Sequence, residues 1–291
     1  MLIMDSARTK LSWECIGLSL TGASHTGRNL PRQDSIGCWP EGPKVSTNYV
    51  LSVADGHGSA LHSRSKIGSG IAVELGTKHL RKMLKDHADE SLSEPSGISI
   101  SEAICADWKK RTLQYADCEP LPLTVTESLS TEHRARLSSS PEVAYGSTLL
   151  CAAVGGGAAH FFRIGDGTIC FVSECGDVAF PFEEQEKKSQ HTDSLCSENA
   201  AEKMSYVTLS FSNEIPPAFI LLATDGYSDA VGGIAPYKKR VQIFWRMLKE
   251  QGIEKFATAI GDHLESAKSD LFDDTTLGFL IRPDWLKPKG K

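Results

Sequence analysis

The sequence predicts an α+β fold in which antiparallel sheets are flanked by helices. Short runs rich in β-formers occur between long amphipathic stretches, without the regular strand–helix alternation of a parallel sheet. Three of these runs, 148–154, 159–164 and 168–173, follow one another across Gly155-Gly156-Gly157 and Gly165-Asp166-Gly167, as a meander of antiparallel strands would. A fourth, 218–224, is apolar on both faces, as a buried central strand is.

The elements can be taken in order. Residues 13–20 alternate polar and apolar side chains, and 49–54 form a β-rich run that stops at Asp55-Gly56; both are expected strands. From Lys66 to His87, Ile67, Ile71, Leu75, Leu80, Met83 and Leu84 recur at helical spacing. The capping-box pattern Ser99-Ile100-Ser101-Glu102 marks the start of a second helix that turns Ile104, Trp108 and Tyr115 inward. Residues 119–141 hold three prolines and little periodicity and are expected to be an exposed, irregular excursion. The polar stretch 181–205 is expected to be a mobile surface segment. Val241, Phe244, Trp245 and Leu248, then Ile253, Phe256, Ile260 and Leu264, trace two helices broken at Gln251-Gly252, and 276–281 is the last strand. The 291 residues are expected to form one domain with its core at about 13–283.

Lys plus Arg total 31 against 37 for Asp plus Glu, a net charge of -6. That balance disfavours binding to nucleic acid or anionic lipid. A phosphorylated substrate is compatible with it, because a bound dication inverts the sign of an acidic site. The N-terminus lacks a signal-peptide pattern, and no run approaches the roughly 18 apolar residues of a membrane span, so a cytoplasmic protein is expected. Eight cysteines without a CxxC pair are expected as reduced core thiols.

Aspartates stand at strand ends: Asp55 after 49–54, Asp166 after 159–164, Asp225 after 218–224 and Asp273 before 276–281. Carboxylates at the ends of neighbouring strands converge in space while far apart in sequence, and such a set is a hard-cation site. Asp55, Asp166 and Asp225 each precede a glycine, which permits a tight turn and opens a carbonyl to a metal or its waters.

The segments Gly22-Ala23-Ser24-His25-Thr26-Gly27 with Arg32-Gln33-Asp34-Ser35, Val53-Ala54-Asp55-Gly56-His57-Gly58, Gly146-Ser147-Thr148, Ile164-Gly165-Asp166-Gly167, Ala223-Thr224-Asp225-Gly226-Tyr227-Ser228-Asp229 and Asp273-Asp274-Thr275-Thr276 resemble, in order, the motifs of the type 2C (PPM) serine/threonine protein phosphatases, in a bacterial form. The resemblance runs from about residue 20 to 281. It implies a four-layer α-β-β-α sandwich of two antiparallel sheets, with two Mn2+ or Mg2+ ions at one end. Asp55 would bridge the metals and the Gly56 carbonyl would complete one sphere. Asp225 and Asp273 would hold the first metal, Asp34 would support the second, and Asp166 would contribute to a third, weaker site. His57 stands at the position of the family's proposed general acid, and Arg28 is favoured over Arg32 as the phosphate-binding arginine.

A glutamine, Gln33, stands where many family members carry an acid, which leaves the second metal held mainly through water. The implied reaction is hydrolysis of phosphoserine or phosphothreonine by a metal-bridging hydroxide, with a protein substrate that is a serine/threonine kinase or its target, and a monomeric enzyme. Two alternatives stay open: a phosphatase of a small phosphorylated metabolite, and a binding or regulatory protein that uses residues 119–141 for docking.

Overall fold

The computed structural model describes residues 11–27, 30–42, 44–86, 94–183, 192–212, 215–266 and 271–286. In chain order the strands are β1 (Glu14–Leu20), β2 (Ser35–Trp39), β3 (Tyr49–Ala54), β4 (Leu149–Gly155), β5 (Ala158–Ile164), β6 (Thr168–Val172), β7 (Val178–Ala179), β8 (Ser205–Ser210), β9 (Phe219–Ala223) and β10 (Thr275–Ile281). The helices are α1 (Ala23–Gly27), α2 (Ser65–Asp86), α3 (Glu94–Cys118), α4 (Leu123–Glu127), α5 (Thr131–Ser139), α6 (Ala200–Lys203), α7 (Asp225–Val231) and α8 (Ile234–Ser266).

The strands form two five-stranded antiparallel sheets, one ordered β1-β10-β9-β6-β7 and the other β2-β3-β4-β5-β8. Alternation along the strands divides the core into layers. Leu51, Val53, Leu150, Ile169, Ile220, Leu222 and Leu280 pack between the sheets. On the outer face of one sheet, Phe219 and Phe279 meet Phe244 and Phe256 of α8. On the outer face of the other, Ile71, Leu75, Leu80 and Leu84 of α2, with Ile104 and Trp108 of α3, cover Ala153 and Phe162. The result is the four-layer α-β-β-α arrangement. Gly252, at φ 79, breaks the helical backbone of α8 where the Gln251-Gly252 signal placed the break.

Several elements differ from expectation. The α3 helix starts at Glu94, so Ser99 and Ser101 lie inside it rather than cap it. Its first turns pack on β8, and a Cβ on Gly97 would lie 2.3 Å from the Tyr206 ring, so tertiary packing overrides the local capping signal. Tyr115 is 40% exposed and faces outward.

Residues 119–141 are not irregular. They contain α4 and α5, pinned by buried Leu129 and Leu137, and Ser130 caps α5 by accepting the His133 N–H at 3.1 Å. These helices are too short for their periodicity to show through three prolines. The meander also fails: β4 and β5 pair, but 165–167 carry the chain across to the other sheet, where β6 pairs with β9 and β7.

Of the polar stretch 181–205, residues 184–191 lie outside the described residues, and 192–205 are docked. Leu195 is buried, and the Ser194 hydroxyl accepts the Ser147 N–H at 3.1 Å and donates to the Ser147 carbonyl at 3.0 Å. None of the eight cysteines is in a disulfide, and Cys118 and Cys175 are exposed instead of in the core. Among the described residues, no helix is long and apolar enough to cross a membrane.

Candidate active site

The carboxylates gather where the ends of the two sheets meet. Asp34 precedes β2 and Asp55 follows β3 in one sheet; Asp225 follows β9 and Asp273 precedes β10 in the other. Close backbone packing fixes this junction. A Cβ on Gly226 would lie 2.1 Å from the Asp274 carbonyl oxygen, and one on Gly22 would lie 2.3 Å from the Asp273 carbonyl carbon. Only glycine allows these approaches. The Asp55 carbonyl accepts the Thr148 N–H and the Ser147 hydroxyl, both at 2.9 Å, which explains the Gly146-Ser147-Thr148 motif as a brace for the Asp55 turn.

Electrostatics show how near the carboxylates are. Part of Asp55 remains open to solvent, yet its carboxyl is enclosed closely enough that burial, then the charges of Asp34 and Asp225, then its hydrogen bond with Asp34 and the charge of Asp273, hold it well above the ordinary carboxylate range. Asp34 is 3% exposed, and burial pushes it up to about 7 against hydrogen bonds from Thr276, Asp55 and Thr224. The Thr224 hydroxyl donates to Asp34 Oδ2 at 2.9 Å, while Oδ1 is buried without a partner.

Among the described residues, no three His, Cys, Asp or Glu side chains already close round one point as a cation cage. The donor set nonetheless fits divalent cations. It is made of hard oxygens, it includes a buried carboxylate oxygen with nothing to bind, and two of its members, Asp34 and Asp55, have their proton affinity raised by burial and by neighbouring carboxylates, a cost that a dication would relieve.

Beside this cluster, the His57 ring lies 4.8 Å from that of His62, and the His57 backbone N–H donates to the Gly146 carbonyl. Burial, then the charge of His62, pushes His57 down to about 4, with Asp166 pulling upward. His62 is held by Nδ1 at 2.5 Å from the Val143 carbonyl, and burial lowers it also. Asp166 thus stands on the His57 side of the junction, where its Oδ2 accepts the Thr192 hydroxyl at 2.8 Å. Arg28, the expected phosphate-binding residue, lies outside the described residues; Arg32 donates to the Ser19 carbonyl at 3.1 Å.

Two further residues lie buried beside the cluster: His25, which the sequence alone reads as a structural or surface histidine, and Asp274, quoted there only as part of the last motif. Asp274 is 2% exposed; its Oδ1 accepts the Gly22 N–H at 2.9 Å and its Oδ2 the Gln33 N–H at 2.6 Å. His25 is also 2% exposed, with Nδ1 2.9 Å from Asp274 Oδ2 and Nε2 3.6 Å from Asp273 Oδ1. The Nδ1 contact is an ion-pair contact whose direction falls outside a proper hydrogen bond, since that nitrogen counts as unpartnered. His25 and Asp274 both fall inside the motifs quoted from the sequence, but nothing there indicated that the two meet.

A family model described as protein phosphatase 2C matches residues 21–265. The chain belongs to the protein phosphatase 2C family and is a protein phosphatase. Its fold is shared with the catalytic domain of the serine/threonine protein phosphatase PstP in complex with two manganese ions (16% identity, TM-score 0.57, 93% of this chain and 98% of that one). It is also shared with PstP of Mycobacterium tuberculosis (15%, 0.57, 94% and 99%) and Stp1 of Staphylococcus aureus (14%, 0.54, 92% and 94%). At such identities the likeness shows the fold alone. Sequence comparison with curated proteins returns no match.

Proposed function

We propose that this chain hydrolyses phosphoserine and phosphothreonine in proteins, with Asp34, Asp55, Asp225, Asp273 and the Gly56 carbonyl holding two Mn2+ or Mg2+ ions. The observation that carries this reading is the convergence of four aspartates from the ends of both sheets, close enough that each of the other three raises the proton affinity of Asp55. When bound, the cations supply charge for the phosphoryl oxygens and acidify a water to a nucleophile near neutral pH.

The protein's own contribution is positional. Thr224 orients Asp34, Ser147 and Thr148 fix the Asp55 turn, and the junction holds the carboxylates on one side of the ester. His57 faces the leaving serine or threonine oxygen as proton donor. The donor form is the imidazolium, and with the ring pushed down to about 4 only a small fraction carries that proton at pH 7, so its contribution falls toward the lower end of general-acid catalysis, about 10²-fold. Asp166, on the same side, serves a third, weaker cation site, and Arg28 steers the phosphate.

The test is turnover of p-nitrophenyl phosphate and of a phosphothreonine peptide with Mn2+, lost on adding EDTA and in Asp225→Asn. An enzyme inert toward both substrates with Mn2+ present would sink the proposal. Turnover of small phosphorylated metabolites but not of the peptide would move the assignment to that class.

A further inference from the structure

Resting on the reading that the aspartate cluster binds divalent cations, we propose that His25 is itself a metal ligand through Nε2, so that the cation held by Asp273 has a mixed nitrogen–oxygen shell. Three features of the geometry point to this. First, His25 Nε2 and Asp273 Oδ1 stand 3.6 Å apart. Two donors at right angles on one dication, each at about 2.1 Å, are separated by about 3 Å, so a small movement brings both onto one ion.

Second, the other ring nitrogen faces a buried carboxylate, Asp274, at 2.9 Å. A carboxylate behind the ring is a recurrent neighbour of metal-binding histidines, and here the two groups are in contact without yet being aligned as a hydrogen bond. Asp274 is anchored in turn by the Gly22 and Gln33 N–H groups. A histidine kept only for packing has no need of an acid anchored by two backbone donors.

Third, a buried acceptor without a partner faces the same space. Gln33 is 9% exposed and its Oε1 lacks a hydrogen bond. A Cβ placed on Gly58 would lie 3.7 Å from both Gln33 Oε1 and His25 Nε2, so the two atoms look onto one small volume kept open by glycine. Asp273, whose side chain is 52% exposed, gives a cation access from solvent. Gln33 then completes the shell with a neutral oxygen where an acid would have been expected.

An imidazole donor changes the choice of metal. Mg2+ prefers an all-oxygen shell with several retained waters, whereas first-row transition ions accept imidazole. The chain is therefore selective for Mn2+ over Mg2+. The decisive measurement is pulsed EPR of the Mn2+-loaded protein, in which a coordinated imidazole nitrogen modulates the electron spin echo. Wild type shows this modulation and His25→Gln loses it, with Mn2+ affinity by calorimetry falling more than about tenfold and Mg2+ affinity changing less.

Asp274→Asn keeps the ligand, so it retains the modulation while weakening Mn2+ binding by about 10- to 100-fold. It also serves as the second variant if His25→Gln fails to fold. Absence of imidazole modulation in wild type, or a His25→Gln signal identical to wild type, overturns the proposal. Phosphopeptide turnover without the modulation leaves the phosphatase reading standing and removes the ligand; modulation without turnover does the reverse.

Discussion

Asp34→Asn in the metal-free protein should raise stability, and the gain should depend on pH. The carboxyl is held at about 7, above its ordinary 3.8, chiefly because burial penalises its charge. A carboxyl whose folded value is raised binds more protons folded than unfolded between those two values, so its contribution to stability falls as pH climbs from about 4 to about 7, and the cost is complete above that. At about 1.36 kcal/mol per pH unit, the interval corresponds to about 4 kcal/mol. Asparagine keeps an oxygen to accept the Thr224 hydroxyl but carries no charge, so most of that cost disappears in the variant.

At about 2 °C per kcal/mol for a domain of this size, the metal-free variant should melt about 8 °C above wild type at pH 8, and the gap should nearly close at pH 4.5. Thermal unfolding in EDTA across that range measures it. The sign reverses with saturating Mn2+, where wild type gains a ligand that the variant lacks. A variant less stable than wild type at pH 8 without metal, or a gap that does not change with pH, would refute the claim that Asp34 sits at a strained, cation-seeking junction.

Three further outcomes follow from the same geometry. His57→Asn should lower kcat toward a phosphothreonine peptide by about 10²-fold but toward p-nitrophenyl phosphate by only a few-fold, because nitrophenolate leaves without a proton; equal losses on both would remove His57 from proton transfer. Gly226→Ala should abolish Mn2+ binding and lower the denaturant midpoint, since its Cβ would meet the Asp274 carbonyl oxygen at 2.1 Å, where main chain must move; a variant that binds Mn2+ normally would contradict the fixed junction. Phe279→Ala should cost about 3–5 kcal/mol in urea unfolding, because the ring is fully buried among Phe219, Phe244 and Phe256; a loss under about 1 kcal/mol would show that the layer collapses to fill the gap.

What was legible in the sequence tracks where local chemistry is strong. The runs at 49–54 and 218–224 announce β3 and β9 because a strand buried on both faces has no polar residue to blur it. Asp55, Asp225 and Asp273 were visible because each punctuates such a run. The helices at 123–127 and 131–139 were not visible, since a helix of five or nine residues lying on the surface needs only one or two apolar anchors, here Leu129 and Leu137. The crossing from β5 to β6 was also hidden, because a Gly-Asp-Gly turn reads the same whether the next strand pairs beside the last or joins the facing sheet. His25 and Asp274 were missed because their meaning lies in contacts across more than 240 residues, which no local spacing reports.

The pairing of β1 with β10, Glu14 opposite Ile281, has a consequence for the birth of the protein. The strand carrying Leu20 and the turn through Gly22 are synthesised well before their partners at 271–281, since Gly22 and Asp274 are 252 residues apart. Until then β1 has no neighbour in its sheet, β9 lacks one flank, and Asp274 is not there to anchor His25 or Gln33. The junction therefore assembles as a closing event that joins segments far apart in the sequence, at the high loop-closure cost of non-local pairing. A chain lacking residues 273–281 has neither the strand that joins β1 to β9 nor the carboxylates of Asp273 and Asp274, so the junction forms only once that segment is in place.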